Sequence, residues 1–284
     1  MTAPAAPNPL TADLAPTPFD LPPLAFPHRV PGSTILLFVR HAEVRNPRNV
    51  VYGRLPRFGL SPRGRTQAER VAAFLADLPL AAIYTSPLLR ARQTAAAIAA
   101  RHPHLRVHQA SALLEVRTSW QGTPNKEVPK GTSFYVDRRA NDDESIDDVL
   151  ARLQAFVRRL LRRHTGEIVV CVGHADPIAI LTLAAAGTPV TPKLLQQPVA
   201  PARGAVTIFE YPTPTAAPIL SYANPQDPEP QQPGQYTGTG HADGATPADA
   251  PAAEAAAPAP GATIPGGNGT ETTPTGPSAE PRGV

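Results

Sequence analysis

A single three-layer α/β/α domain with a mainly parallel central sheet, flanked by disordered proline-rich termini, is the fold predicted by three observations. Short apolar runs alternate with amphipathic helical patterns between residues 33 and 222. The clearest of those runs, Thr34–Arg40 (TILLFVR) and Glu167–Val172 (EIVVCV), are apolar at nearly every position, as strands covered by helices on both faces must be. Proline clusters bound the pattern, with nine in residues 1–32 and twelve in residues 223–284.

Taken in order, Thr34–Arg40 is a buried strand too short for a helix. Ser61-Pro62 supplies an N-cap and a first-turn proline, and Ala68, Val71, Ala72, Leu75 and Leu78 then share one helical face. Ala82–Thr85 is a second strand, Ser86-Pro87 announces a helix running to about Ala100, and residues 105–109 form a third strand. Residues 116–143 are rich in Gly, Pro, Lys, Asp and Asn and form a long irregular excursion. The clearest helix follows, with Ile146, Val149, Leu150, Leu153, Phe156, Val157, Leu160 and Leu161 at helical spacing. Acidic residues 142–144 at its start and Arg162, Arg163 and His164 at its end complement the helix dipole. Glu167–Val172 is the next strand, Asp176-Pro177 opens another helix, and Val206–Tyr211 and Ile219–Tyr222 close the domain.

The boundaries follow from composition. Beyond Tyr222 the chain holds one aromatic residue (Tyr236) and two large aliphatic ones (Ile264 and Val284). Such a segment cannot bury enough apolar surface to offset the entropy of ordering. Residues 1–32 and 223–284 are therefore expected to be disordered, leaving 33–222, a comfortable size for one domain with its own core. Of the net charge of +3, the tail carries −6, so the remainder is +9. That balance suits anionic substrates, and equally nucleic acid or simple solubility.

Several classes are set aside. The sole cysteine, Cys171, excludes an intramolecular disulfide framework and any multi-cysteine metal site. The N-terminus lacks the basic and continuous apolar regions of a signal peptide, and no apolar run reaches 18 residues, so a cytoplasmic protein without membrane partners is expected. Arg158, Arg159, Arg162 and Arg163 lie off the apolar stripe and form a solvated face. Nucleic acid is therefore not an expected partner. His102, His104 and His108 have no carboxylate or cysteine beside them and are taken as surface histidines, and Cys171 as a small core residue. No sequence feature selects an oligomeric state.

The chemistry gathers where strands end. Arg40-His41 follows the first strand, Arg90 stands in the first turn after the second, and Gly173-His174 follows Glu167–Val172. In parallel sheets ligands bind beyond the carboxyl ends of the strands. Two arginines and two histidines there make an anion site, with guanidinium forks matched to phosphate oxygens.

These segments resemble the histidine phosphatase superfamily, the phosphoglycerate mutase-like branch 1. Arg40-His41-Ala42-Glu43 is similar to its Arg-His-Gly signature. Tyr52-Gly53-Arg54, Leu60-Ser61-Pro62-Arg63-Gly64 and Thr85-Ser86-Pro87-Leu88-Leu89-Arg90 match its next segments. Leu114-Glu115, Glu144-Ser145 and Val172-Gly173-His174 complete the order. The resemblance implies that His41 becomes phosphorylated, that Arg40, Arg90 and His174 hold phosphate oxygens, and that Glu115 is the leaving-group acid. It implies no metal and no cofactor. It places an asparagine near position 47, where this chain has Pro47 between Asn46 and Asn49; Asn46 is the candidate phosphate ligand. Arg54, Arg138 and Arg139 are candidates for substrate contact. His41 is expected neutral and His174 cationic, their surroundings holding the two apart.

The implied activity is hydrolysis of a small phosphorylated metabolite. A phosphoglycerate mutase shares the same ligands, but Val116-Arg117-Thr118-Ser119 follows Glu115 in place of the Arg-His-Tyr-Gly run usual in mutases. Compact protein phosphohistidine phosphatases lack the 116–143 excursion. A non-catalytic phosphate-binding module with proline-rich arms is the alternative outside enzymology, and retention of His41, Arg40, Arg90, Glu115 and His174 disfavours it.

Overall fold

Strand β1 (Thr34–Arg40) lies at the centre of the sheet, paired in parallel with β4 (Ile168–Gly173) and antiparallel with β5 (Val206–Tyr211). The computed structural model describes residues 24, 26, 29–138, 140–227 and 234–235. With β2 (Leu80–Thr85), β3 (Val107–Gln109), β6 (Ile219–Ala223) and β7 (Gly234–Gln235), the sheet has the order β3-β2-β4-β1-β5-β6-β7.

Alternation along the strands explains the three layers. Ile35, Leu37 and Val39 point to one face, where helices α1 (Pro62–Phe74) and α2 (Leu89–Ala100) bury Val71, Phe74, Ala95 and Ile98 against them. Leu36 and Phe38 point to the other, under α3 (Ile146–Arg163) and α4 (Ala175–Ala185), which contribute Leu153, Phe156, Leu160 and Ile178. Period-2 strands with both faces apolar can be satisfied only this way. Phe38 and Phe209 meet edge to face across adjacent strands at 5.1 Å, a favoured aromatic geometry. Cys171 is buried in the second of these layers, as expected of a small core residue.

The expected parallel arrangement forms over four strands, and the sheet as a whole is mixed. β3, β2, β4 and β1 are parallel; β5, β6 and β7 are joined by antiparallel ladders. Residues 186–205, including the short helix α5 (Pro192–Leu195), bring the chain back to the end of β1, where Gly204 N–H donates to the Arg40 carbonyl. β5 starts at that end and must run opposite to β1. Hydropathy alone does not carry strand direction.

Local chemistry accounts for the helix starts. Ser61 caps α1 by accepting from Gly64 N–H at 2.9 Å. Ser145 and Asp148 form a capping box on α3, satisfying two orphan donors. Asp143 and Glu144, expected to complement the α3 dipole, are also spent on other loops. Asp143 accepts from the Ser119 backbone and hydroxyl, and Glu144 accepts from three residues around Glu115. Upstream of the expected boundary at residue 33, Leu24 is buried and its N–H donates to the Phe74 carbonyl. Downstream of the expected boundary at residue 222, β6 runs on to Ala223 and β7 pairs with it; the remainder of the stretches expected to be disordered, 1–23, 25, 27–28, 228–233 and 236–284, lies outside the described residues.

Candidate active site

Register places the site. Arg40 pairs with Gly173 and Thr85 with Val172, so β1, β4 and β2 end at one level. His41 N–H donates to the Gly173 carbonyl at 3.0 Å and Ser86 N–H to the Val172 carbonyl at 2.9 Å. His41, Ser86 and His174, far apart in sequence, therefore become neighbours beyond the carboxyl edge.

Two contacts settle the state of His41. Its Nδ1 lies 2.7 Å from the Ala42 carbonyl, an acceptor only, so Nδ1 carries the proton. Its Nε2 accepts from Arg90 Nε at 3.1 Å, and an arginine can only donate. The ring is thus neutral, with a lone pair on Nε2. Burial, then the charges of Arg90 and Arg40, hold its pKa well below the ordinary imidazole value.

The loop around His41 is tightly packed. Ala42 is buried, and its N–H donates to Thr94 Oγ1. A side chain at Gly64 would place Cβ 2.0 Å from the Glu43 carbonyl oxygen, so α1 reaches this loop only through a glycine. Arg90, fully buried, donates Nη2 to the Gly53 carbonyl at 2.8 Å and lies 4.7 Å from the centre of the Tyr52 ring. Gly53 adopts a positive φ of 38°, a conformation that costs glycine little.

His174 is also fully buried, its ring 5.1 Å from that of His41. Its Nε2 is 2.8 Å from Ser86 Oγ, which also accepts from Leu88 N–H at 3.3 Å. The Ser86 hydroxyl keeps a second lone pair as well as its own proton, so it can either donate to Nε2 or accept from it. When it donates, the ring proton sits on Nδ1, on the side of Glu115, whose Oε2 is 3.9 Å away. Nδ1 has no hydrogen-bond partner, and a buried orphan donor of this kind calls for an acceptor. Burial, Arg90 and His41 hold His174 well below the ordinary imidazole range. The expected split between a neutral and a cationic histidine is therefore absent, because both rings are buried beside the same guanidinium.

Glu115 lines a cleft of about 300 Å³ together with Arg40, Tyr52, Gly53, Asp176 and Arg203. Its Oε1 accepts from Val116 N–H at 2.9 Å. Burial and the neighbouring Asp176 push its pKa up to about 7. Behind it stands a bracket. Arg54 Nε and Arg152 Nη2 donate to the Glu115 carbonyl at 2.6 and 3.4 Å, and both arginines reach the Glu144 carboxylate, at 2.7 Å and 3.0 Å.

Other expectations fare differently. Asn46 does not face the cleft: its amide donates to the Val50 carbonyl and its carbonyl accepts from Val50 N–H, a closed local staple. Arg54 is committed to the bracket, which corrects its placement as a substrate contact. Arg138 is exposed and donates to the Asp143 carbonyl; Arg139 lies outside the described residues. His102 is buried and faces the Leu75 carbonyl, correcting its expected surface position, while His108 lies against the Tyr84 ring. Among the described residues, no group of three or more His, Cys, Asp or Glu side chains is placed to hold a metal.

Arg203, Asp176, Tyr135 and Arg152 were not singled out for the site from sequence. Arg203 arrives on the loop before β5 and adds a cation near His41. Asp176 was visible only as a helix-opening residue, and its position two residues after His174 was the available signal.

The model of the histidine phosphatase superfamily (branch 1) matches residues 36–216. An uncharacterized protein of Mycobacterium tuberculosis is 38% identical over 164 residues, covering 54% of this chain and 79% of that protein. Phosphoserine phosphatase 1 of Hydrogenobacter thermophilus is 32% identical over 162 residues, 54% of this chain and 76% of that one. Among solved structures, YhfR of Bacillus stearothermophilus superposes with a TM-score of 0.55 at 28% identity, covering 62% of this chain and 90% of that chain. A mycobacterial glucosyl-3-phosphoglycerate phosphatase superposes with a TM-score of 0.53 at 26% identity, covering 63% and 90%. With the family model spanning more than half its length, this chain belongs to the histidine phosphatase superfamily, branch 1.

Proposed function

We propose that the protein hydrolyses a small phosphorylated metabolite through a phosphohistidine on His41 Nε2. The observation that carries this reading is the state of His41: neutral, tautomer fixed by Ala42, lone pair on Nε2 beside the Arg90 guanidinium. A bound phosphoryl group takes over the Arg90 donor and leaves the Nε2 pair facing phosphorus. Nucleophilic catalysis then divides one difficult displacement into two.

In the first step the Nε2–P bond forms and the bond from phosphorus to the leaving oxygen breaks. Glu115 gives its proton to that oxygen. Arg40, Arg90 and the orphan His174 Nδ1–H hold the equatorial oxygens, where charge is spread in the transition state. In the second step Glu115, now a carboxylate, takes a proton from water while the water oxygen attacks phosphorus. The N–P bond breaks, releasing phosphate and neutral His41. A cleft of about 300 Å³ admits a small metabolite.

Hydrolysis, as against transfer to a second hydroxyl, is favoured by the residues after Glu115 and by the phosphatase names of two relatives. In the full chain, His41→Ala should abolish release of phosphate from an aryl phosphate while its circular dichroism stays unchanged. Acid-labile label from a phosphate-labelled substrate should appear on the wild type only. Comparable turnover by the variant would overturn the reading. Supplying 3-phosphoglycerate with 2,3-bisphosphoglycerate and scoring free phosphate against isomerisation separates phosphatase from mutase.

A further inference from the structure

Asp176 stands in the first turn of α4, two residues after His174, and lines the same cleft as Glu115. The steps described above make no use of it. Its Oδ2 accepts from the Tyr135 hydroxyl at 2.9 Å. Tyr135 belongs to the 116–143 excursion, whose Phe134 lines the cleft, so this bond ties the excursion to the first turn of α4.

Two carboxyl groups enclosed together do not both ionise freely, and they titrate as a pair. Their surroundings decide which one keeps the proton. Burial raises Asp176 as well, but the Tyr135 hydroxyl on Oδ2, the Arg40 charge and the positive end of α4 beneath it all favour its carboxylate. Glu115 has one backbone donor on Oε1, and its Oε2 faces the neutral His174 ring at 3.9 Å. The cations are Arg40 and Arg90, acting on Glu115, with Arg40 also acting on Asp176, and Arg203 across the cleft. Arg54 and Arg152 meet the Glu115 backbone carbonyl and not its carboxylate.

We propose that Asp176 is a positioning residue, held by Tyr135, whose carboxylate shares a single proton with Glu115 and leaves it on Glu115. The inference rests on the reading of Glu115 as the leaving-group acid. It explains how a glutamic acid stays protonated near neutral pH, with burial and the Asp176 charge together lifting it to about 7. It also serves the second step. Once Glu115 has lost its proton, two carboxylates stand together, and the pair draws a proton from the attacking water more strongly than a lone glutamate would.

Asp176→Asn in the full chain is the test, since asparagine keeps the shape and can still accept from Tyr135. Two readouts are used: the pH profile of kcat/KM on an alkyl phosphate, and a carbon-13 titration of the Glu115 carboxyl by nuclear magnetic resonance, which needs no turnover. Both should move acidward by about one pH unit in the variant, the effect of removing a nearby like charge. Asp176→Glu should return the alkaline limb toward its wild-type position. In Glu115→Gln, alkyl phosphate turnover should fall on the order of a hundredfold, the usual scale of acid–base assistance, with aryl phosphate turnover falling far less. An unmoved alkaline limb together with an unmoved Glu115 titration in Asp176→Asn overturns the role of Asp176 and leaves that of Glu115 standing. Equal loss on both substrates in Glu115→Gln overturns the parent reading, and this one with it.

Discussion

At the scale of single residues, the site is a set of groups kept in their less hydrated states. His41 and His174 are buried as neutral rings beside Arg90, and Glu115 is lifted to about 7 from the usual 4.5. Each displacement has a stability consequence with its own sign. The two histidines bind fewer protons folded than unfolded, so their contribution is complete above about pH 6.5 and is lost as the pH falls below that. Glu115 binds more protons folded, so its contribution is complete below about pH 4.5 and is lost as the pH rises through 7. The two trends oppose each other across the weakly acid range. Glu115→Gln removes one of them. The variant should be more stable than wild type at pH 8, by on the order of 3 kcal/mol, and the difference should shrink steadily toward pH 5. Thermal melts at four or five pH values check this; a difference that is constant with pH would show that Glu115 is not held above its ordinary value.

At the scale of elements, the phosphate ligands and the acid are mounted differently. His41 and His174 hang directly on the ends of β1 and β4, and Arg90 on the first turn of α2. Glu115 sits on irregular chain and depends on the Arg54–Glu144–Arg152 bracket. Glu144→Ala strands two partly buried guanidinium groups, at a cost of about 2 kcal/mol, below the range for fully buried pairs. It should lower kcat about tenfold or more, since small misplacements of a reacting group are costly. Affinity for vanadate, governed by the sheet-mounted ligands, should change less than about threefold. Parallel measurements of turnover and vanadate inhibition check this, and an equal loss in both would show that the bracket supports the whole site. The same division explains what was legible in the sequence. His41 and His174 could be found because each directly follows a strand whose apolar run marks its end, and Arg90 because Ser86-Pro87 marks the helix start that follows β2. Asn46 was misplaced because a loop asparagine can equally well close its own turn, as it does with Val50. Arg152 gave no signal, because a helix position adjoining an apolar stripe does not say which loop it meets. Arg203 reaches the cleft, and Tyr135 reaches Asp176, from segments without periodicity.

At the scale of the whole molecule, charge is divided along the chain. The 49 residues beyond Gln235 carry five acidic residues and one arginine, so removing them raises the net charge from +3 to +7. The composition of that stretch offers little apolar surface to bury, and the domain boundary proposed from it implies that the catalytic unit does not need it. A chain ending at Gln235 keeps β7 and its pairing with β6. It should melt within about 2 °C of the full chain, a shift that corresponds to well under 1 kcal/mol for a domain of this size. Its kcat/KM for an anionic substrate should rise about two- to threefold at low ionic strength, because the field of the whole protein steers the encounter. The gain should vanish by about 0.5 M salt, where the Debye length falls to a few ångströms, and kcat should not change at either salt concentration. Melting curves and an ionic-strength series on both chains provide the measurement. A large loss of melting temperature would place part of the tail on the folded domain, whereas a gain that persists at high salt would mean that the tail acts at the cleft by contact and not by charge.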